Sequence, residues 1–249
     1  MVTALVLSGG TGTRMGSSMP KQYIEVGGRP VISYCIKTLS KSDRIDAIWI
    51  VAALEWQENI HKWISDFGLS GKFRGFSAPG ANRQLSVYNG IRDIKDMLSD
   101  TEYVLIHDAA RPMITEADIE NCITAVPGHD GVLPVLPMKD TVYMSNDGTT
   151  VTGLLERSRI FAGQAPEVFV LEKYLKANEQ LLNRIESNGC EKPESPQNSA
   201  IMKINGSTEP AVMAGMDIVM IPGNEDNFKI TTMTDLERFK TIVEQNSCI

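Results

Sequence analysis

The 249-residue sequence predicts a three-layer α/β fold with a Rossmann-like, mainly parallel sheet and an inserted β-arm. Two observations carry the sheet: short apolar runs recur with helical patterns between several of them, and a glycine-rich turn follows the first run directly. A third, a turn signal inside a weakly alternating stretch, carries the arm. The runs cover 2–7, 45–52, 103–106, 131–135 and 216–221. After the first comes Ser8-Gly9-Gly10, then a segment 30–39 whose apolar residues Val31, Ile32, Cys35, Ile36 and Leu39 keep helical spacing. Pro30 suits the first turn of that helix, which is expected to pack beneath the glycine loop. Asn82 reads as the cap of a helix starting at Arg83. The stretch 142–152 turns at Asn146-Asp147-Gly148, and the arm is assigned to 138–160. Residues 189–206, with Pro193, Ser195, Pro196, Asn198 and Ser199, read as loop. With no internal repeat and no linker, a single domain spanning 1–249 is expected.

The 42% hydrophobic and 22% charged fractions exclude disordered, collagen-like and disulfide-scaffold classes. A formal charge of -7 argues against non-specific binding to nucleic acid or anionic membrane. An anionic ligand must therefore meet locally placed cations. Cys35, Cys122, Cys190 and Cys248 lack metal or CxxC spacing and read as reduced thiols of a cytoplasmic protein. No apolar stretch has the length of a membrane span or the form of a signal peptide, so the chain is expected neither to span a membrane nor to be exported.

The segment Leu7-Ser8-Gly9-Gly10-Thr11-Gly12-Thr13-Arg14-Met15-Gly16 suits a polyphosphate nest, because glycine backbone N–H groups approach an anion unobstructed by a Cβ. Arg14 and Lys21 supply charge at its edges. It is neither a Walker loop nor a dinucleotide fingerprint, since no Lys-Ser/Thr and no ribose-binding acid follow at the required spacing. A plain strand-to-helix turn is the competing reading. Asp108 sits just after the apolar run 103–106, where the carboxyl end of a parallel strand delivers residues to a ligand crevice. A turn cap is the alternative there, and Arg111 could simply pair with it. His107 reads as a packed histidine, and His61 and His129 as surface residues.

Leu7-x-Gly9-Gly10-x-Gly12-Thr13-Arg14-Met15-Gly16 followed by Met19-Pro20-Lys21-Gln22-Tyr23 resembles the opening of the CTP-dependent polyol-phosphate cytidylyltransferases. Those include the ribitol-5-phosphate and 2-C-methyl-D-erythritol 4-phosphate enzymes. The resemblance covers essentially the whole chain: Arg83-x-x-Ser86, His107-Asp108-Ala109-Ala110-Arg111-Pro112, Lys139-Asp140-Thr141, Glu156-Arg157-Ser158, Gln164-x-Pro166 and Asp226-Asn227-x-Lys229-x-Thr231 follow in the family's order.

The resemblance implies transfer of a cytidylyl group from CTP to a polyol phosphate, with release of pyrophosphate. Arg14 and Lys21 would be catalytic, stabilising the pentavalent phosphorus and the leaving group. Leu7, Ser8, Gly9, Gly10, Gly12, Thr13, Arg83, Ser86 and Asp108 would bind nucleotide, and Arg111, Thr141, Arg157 and Lys229 the acceptor phosphate. Asp108 and Asp226 would hold Mg²⁺. The arm, read as poor in apolar residues, would cross to a second subunit and make a homodimer.

Two departures concern the acceptor. Ser207-Thr208-Glu209-Pro210 stands where the family shows Thr-Asp, and the loop before it is longer than expected. A pentitol phosphate such as ribitol 5-phosphate is the favoured acceptor, with methylerythritol 4-phosphate the alternative. A sugar-1-phosphate nucleotidyltransferase and a nucleotide-binding regulator without turnover are the rival readings.

Overall fold

The computed structural model describes residues 1–10, 19–187 and 206–247. Gly12, Thr13, Arg14, Cys190, Cys248 and the predicted loop up to residue 205 lie outside the described residues. The strands are β1 (Val2–Leu7), β2 (Glu25–Val26), β3 (Arg29–Pro30), β4 (Ala47–Val51), β5 (Phe73–Ser77) and β6 (Tyr103–Asp108), followed by β7 (Gly131–Pro137), β8 (Tyr143–Met144), β9 (Gly153–Leu154), β10 (Phe161–Gly163), β11 (Glu167–Val170) and β12 (Ile218–Pro222). The helices are α1 (Val31–Lys41), α2 (Leu54–Asp66), α3 (Arg83–Met97), α4 (Glu116–Ala125), α5 (Leu171–Ser187), α6 (Thr208–Met213) and α7 (Met233–Ser247).

An eight-stranded sheet runs β10-β7-β11-β6-β1-β4-β5, with β12 also on β7. β1 pairs in parallel with β4 and β6, β4 with β5, and β12 with β7, whereas β10 and β11 run antiparallel to β7. β11 and β10 share one edge of β7, Phe169 opposite Gly131 and Gly163 opposite Val135, and the break between them falls at Gln164–Pro166. All five expected strands form. Sequence patterning missed β5, β10 and β11, which are short and carry Arg, Gly or Glu among their apolar residues.

Alternation along the strands separates two cores. Ala4, Val6, Ile48, Ile50 and Leu105 meet α1, α2 and α4 on one face. Leu5, Trp49, Val51, Val104 and Ile106 meet α3, α5 and α6 on the other. β1 is buried on both faces, which explains its unbroken apolar run. Helix α3 presses so closely on the sheet that a Cβ on Gly90 would lie 2.6 Å from a Leu5 methyl. The expected helix forms as α1, and Tyr23 of the 3₁₀ turn Lys21–Tyr23, beside the glycine loop, joins its core cluster.

The arm's hairpin closes where expected. Gly148 has φ +76, and Asp147 Oδ1 accepts the backbone N–H groups of Thr149 (2.8 Å) and Thr150 (2.7 Å). The arm is not poor in apolar residues, however: Tyr143, Met144, Val151, Leu154 and Leu155 all stand exposed.

Candidate active site

The strand order reverses between β4 and β6 on either side of β1, the point at which open α/β sheets bind ligands beyond the carboxyl ends of their strands. Leu7 is the register partner of Asp108, so the glycine loop and the aspartate leave adjacent strands side by side. The loop is held from below. Gln22 Nε2 donates to the carbonyls of Ser8 (2.7 Å) and Gly10 (2.8 Å), and the Tyr23 hydroxyl donates to Ser8 O (2.9 Å). The Tyr23 ring stacks on Trp56 with centroids 4.3 Å apart. A Cβ on Gly9 would lie 2.5 Å from Pro79 Cβ, so the loop requires glycine there to rest against the segment after β5. Lys21 stands half-buried in this turn.

Asp108 is buried among three cations. Arg83 Nε and Nη2 reach Oδ1 at 3.3 Å, Lys229 Nζ reaches Oδ2 at 2.9 Å, and Arg111 Nε lies 3.6 Å from Oδ2. Burial alone would raise its pKa, but the cations hold its carboxyl far below the usual range. The local charge is therefore positive in a chain whose net charge is negative. Arg111 pairs as the sequence allowed, and its Nη1 donates to the carbonyl of Asn227 at 2.7 Å. Ile230 N donates to Ala110 O (2.8 Å), and Asn227 Nδ2 to Ala165 O (2.8 Å). The 227–230 segment is thus laced both to the turn after β6 and to the break before β11. It is irregular chain rather than strand, yet Ile230 is buried while Lys229 turns to Asp108.

Asn82 caps α3, accepting from Leu85 N at 2.9 Å. Ser86 Oγ accepts from Gly80 N (3.0 Å) and donates to Asn82 O (2.8 Å), so it shapes the turn that presents Arg83. His107 is fully buried and its Nε2–H donates to Arg111 O (2.9 Å). Burial pushes its pKa down to about 4, which keeps the ring neutral at pH 7 and suits the packed role expected. His61 is exposed, while half-exposed His129 meets Asp217 at 2.7 Å, a partner its local sequence did not reveal.

Other expected site residues stand apart from this cluster. Thr141 and Arg157 are exposed on the arm, where Arg157 Nη1 donates to Lys139 O (2.7 Å). Asp226 is exposed and its carboxylate lies 3.6 Å from Arg238 Nη2. Among the described residues, no hydrogen bond or ion pair joins these three to Asp108. No group of three or more His, Cys, Asp or Glu there is arranged to hold a metal ion alone.

Sequence reasoning missed Glu167. It opens β11 opposite Ile106, two residues before Asp108 on β6. Its carboxylate is buried, accepts the hydroxyls of Ser207 and of Thr208 (2.9 Å), and lies 4.0 Å from Arg83 Nη2. Burial pushes its pKa up, against the pull of Arg83. The available signal was the Ser207-Thr208 pair itself, noted only as a departure.

The family model described as IspD, 2-C-methyl-D-erythritol 4-phosphate cytidylyltransferase, matches residues 2–245. The chain is 28% identical over 249 residues to a ribitol-5-phosphate cytidylyltransferase of Streptococcus agalactiae serotype III, covering 98% of this chain and 96% of the relative. It is 29% identical over 248 residues to a 2-C-methyl-D-erythritol 4-phosphate cytidylyltransferase of Nitrosomonas eutropha, covering 98% and 97%. The crystal structure of 4-diphosphocytidyl-2C-methyl-D-erythritol synthase from Anaerococcus prevotii shares the fold, with a TM-score of 0.78 at 22% identity over 98% of this chain and 96% of that one. A family match running from the first strand into the last helix agrees with the order of motifs that converge on Asp108, and the chain belongs to the 2-C-methyl-D-erythritol 4-phosphate cytidylyltransferase family.

Proposed function

We propose that the protein transfers a cytidylyl group from CTP to a polyol phosphate, ribitol 5-phosphate or a similar pentitol phosphate, releasing pyrophosphate. The observation that carries this is the positive cluster of Arg83, Arg111 and Lys229 about Asp108, set beside a glycine loop at the sheet's switch point. The acceptor phosphate, with a second pKa of about 6, is largely dianionic at pH 7 and attacks the α-phosphorus without a general base. The neutral, buried His107 accords with a reaction that asks for no proton abstraction. What the reaction requires is neutralisation of charge in an in-line displacement. Lys21 and Arg14 take the leaving pyrophosphate, Arg83 and the glycine loop the nucleotide, and Lys229 and Arg157 the acceptor phosphate.

Mg²⁺ fits this donor set in one mode. An ion drawing most of its ligands from water and phosphate oxygens needs only one or two carboxylates, and Asp108 would supply one at the loop's edge once bound phosphates draw Arg83 or Lys229 from it. Asp226, paired with Arg238, would join it only by leaving that partner. Bound there, the ion would offset charge on the phosphates.

The arm supports a homodimer. Five large apolar side chains, Tyr143, Met144, Val151, Leu154 and Leu155, lie exposed on an arm whose two-stranded hairpin cannot bury them itself. A second copy would cover them and bring Thr141 and Arg157 to its site. Mixing an Arg157→Ala chain with a Lys21→Ala chain is then expected to restore activity, since a mixed dimer assembles one site with both residues intact. Verified subunit exchange without rescue overturns the shared site. No described helix is long and apolar enough to cross a membrane. The buried thiols of Cys35 and Cys122 suit a cytoplasmic enzyme.

Pyrophosphate release tests the reaction with CTP or UTP against ribitol 5-phosphate, methylerythritol 4-phosphate and sugar 1-phosphates. A higher kcat/KM for ribitol 5-phosphate with CTP is expected, because a site arranged for an extra hydroxyl rejects a substrate lacking it more strongly than an apolar contact rejects one methyl. A tenfold preference for the methylerythritol compound replaces the acceptor and leaves the reaction standing. Turnover with UTP and a sugar 1-phosphate alone overturns the reaction.

A further inference from the structure

Glu167 presents an electrostatic problem that the proposed reaction does not explain. A buried carboxylate beside an arginine normally closes into a bidentate pair. Here the nearest approach to Arg83 Nη2 is 4.0 Å, and the guanidinium donates instead to Asp108. Each carboxylate oxygen accepts one hydroxyl, and the pair fixes the carboxylate's orientation: Ser207 Oγ donates to Oε2 and Thr208 Oγ1 to Oε1 (2.9 Å). Those hydroxyls are themselves anchored. The Tyr174 hydroxyl donates to Ser207 O at 2.6 Å, and Tyr174 stacks on Phe169 of β11 with centroids 4.1 Å apart. One helix turn on, Asn178 Nδ2 donates to Tyr174 O (2.8 Å), and Asn178 Oδ1 accepts from Gln84, the residue after Arg83. A polar network therefore runs from α5 and the start of α6 to the first turn of α3.

We propose that Ser207 and Thr208 are positioning residues that hold Glu167 off Arg83 and so keep the guanidinium available to the nucleotide. The inference rests on the reading of Arg83 as a nucleotide contact. Deprived of either hydroxyl, the carboxylate loses one of the two contacts that fix its orientation and turns toward the nearest strong donor, Arg83, which already stands 4.0 Å from Oε2. The arginine is then tied between Glu167 and Asp108, and an incoming triphosphate must break two pairs instead of one.

The test substitutes Thr208→Val, which keeps the shape and removes the donor, and Thr208→Ser, which keeps the donor. Two readouts are taken on the full chain: the ¹⁵N–¹H resonance of Arg83 Nε without ligand, assigned by its loss in Arg83→Lys, and the Kd for CTP. Thr208→Val is expected to move the Arg83 resonance and to weaken CTP binding about tenfold, the scale of one hydrogen bond to a charged group. Thr208→Ser should stay within twofold of the unaltered chain. In a Glu167→Gln background, Thr208→Val should have no further effect on either readout. Should Thr208→Val not fold, Ser207→Ala removes the other donor and is read in the same way. An Arg83 signal and CTP affinity unmoved in a folded variant overturn the inference, as does an equal loss in the Glu167→Gln background. A resonance that moves as expected while no nucleoside triphosphate binds even the unaltered chain supports the hold-off and counts against the cytidylyl-transfer reading alone.

Discussion

Lys21→Ala is expected to lower turnover by about two to three powers of ten at saturating CTP while leaving the fold intact. The magnitude is that of removing one preorganised donor from the place where charge gathers in the transition state. The lysine opens the 3₁₀ turn whose next two residues, Gln22 and Tyr23, are buried and hold the carbonyls of Ser8 and Gly10. The backbone beneath it is therefore fixed independently of its side chain. A half-buried lysine contributes little packing, so the thermal midpoint should stay close to that of the unaltered chain. Single-turnover measurement at saturating CTP is the check, and an unchanged rate removes Lys21 from the chemistry.

Asp108→Asn is expected to destabilise the chain by about 3 kcal/mol, the lower end for breaking a buried ion pair. The lower end applies because Arg83 and Lys229 keep side-chain exposures of 35% and 32%, so water screens part of the charge left uncompensated. For a chain of this size the thermal midpoint should fall by about 6–12 °C. A polyphosphate that neutralises the three cations should recover more stability in the variant than in the unaltered protein. The acid dependence has a definite sign. The folded pKa of Asp108 lies below its unfolded value of about 3.9, so its contribution is complete above that pH and is lost as pH falls further. The stability gap between the two proteins should be full at neutral pH and close in strong acid. An unchanged midpoint at neutral pH would mean that Asp108 does not organise the cations.

How much of this was legible depended on the distance over which each feature is determined. β1 and the glycine turn after it are local, since an apolar run followed by Ser8-Gly9-Gly10 carries both strand and loop in adjacent residues. Asp108 could be placed because it ends a strand. β11 was missed because Pro166 precedes it and Glu167 opens it, and its pairing with β6 lies in partners rather than in its own composition. Glu167 itself is a site residue only because Arg83, Ser207 and Thr208 reach it from α3 and from the start of α6. The apolar content of the arm was underestimated for a different reason: Tyr143, Met144, Val151 and Leu154 are scattered among polar residues, and only the hairpin sets Tyr143 opposite Leu154.

The lacing of the 227–230 segment to the turn after β6 bears on how the protein is made. Lys229 contacts Asp108 across 121 residues of chain, and Arg111 contacts Asn227 across 116. Contacts of such long range form late, because the loop they close must be ordered first. A nascent chain emerging from the ribosome can pair β1 with β4 and β6 while its tail is still being synthesised, but Asp108 then faces Arg83 and Arg111 without Lys229. Polyphosphate affinity should therefore reach its full value only after the 227–230 segment has docked, so that a nascent chain still lacking that segment would draw less on the triphosphate pool.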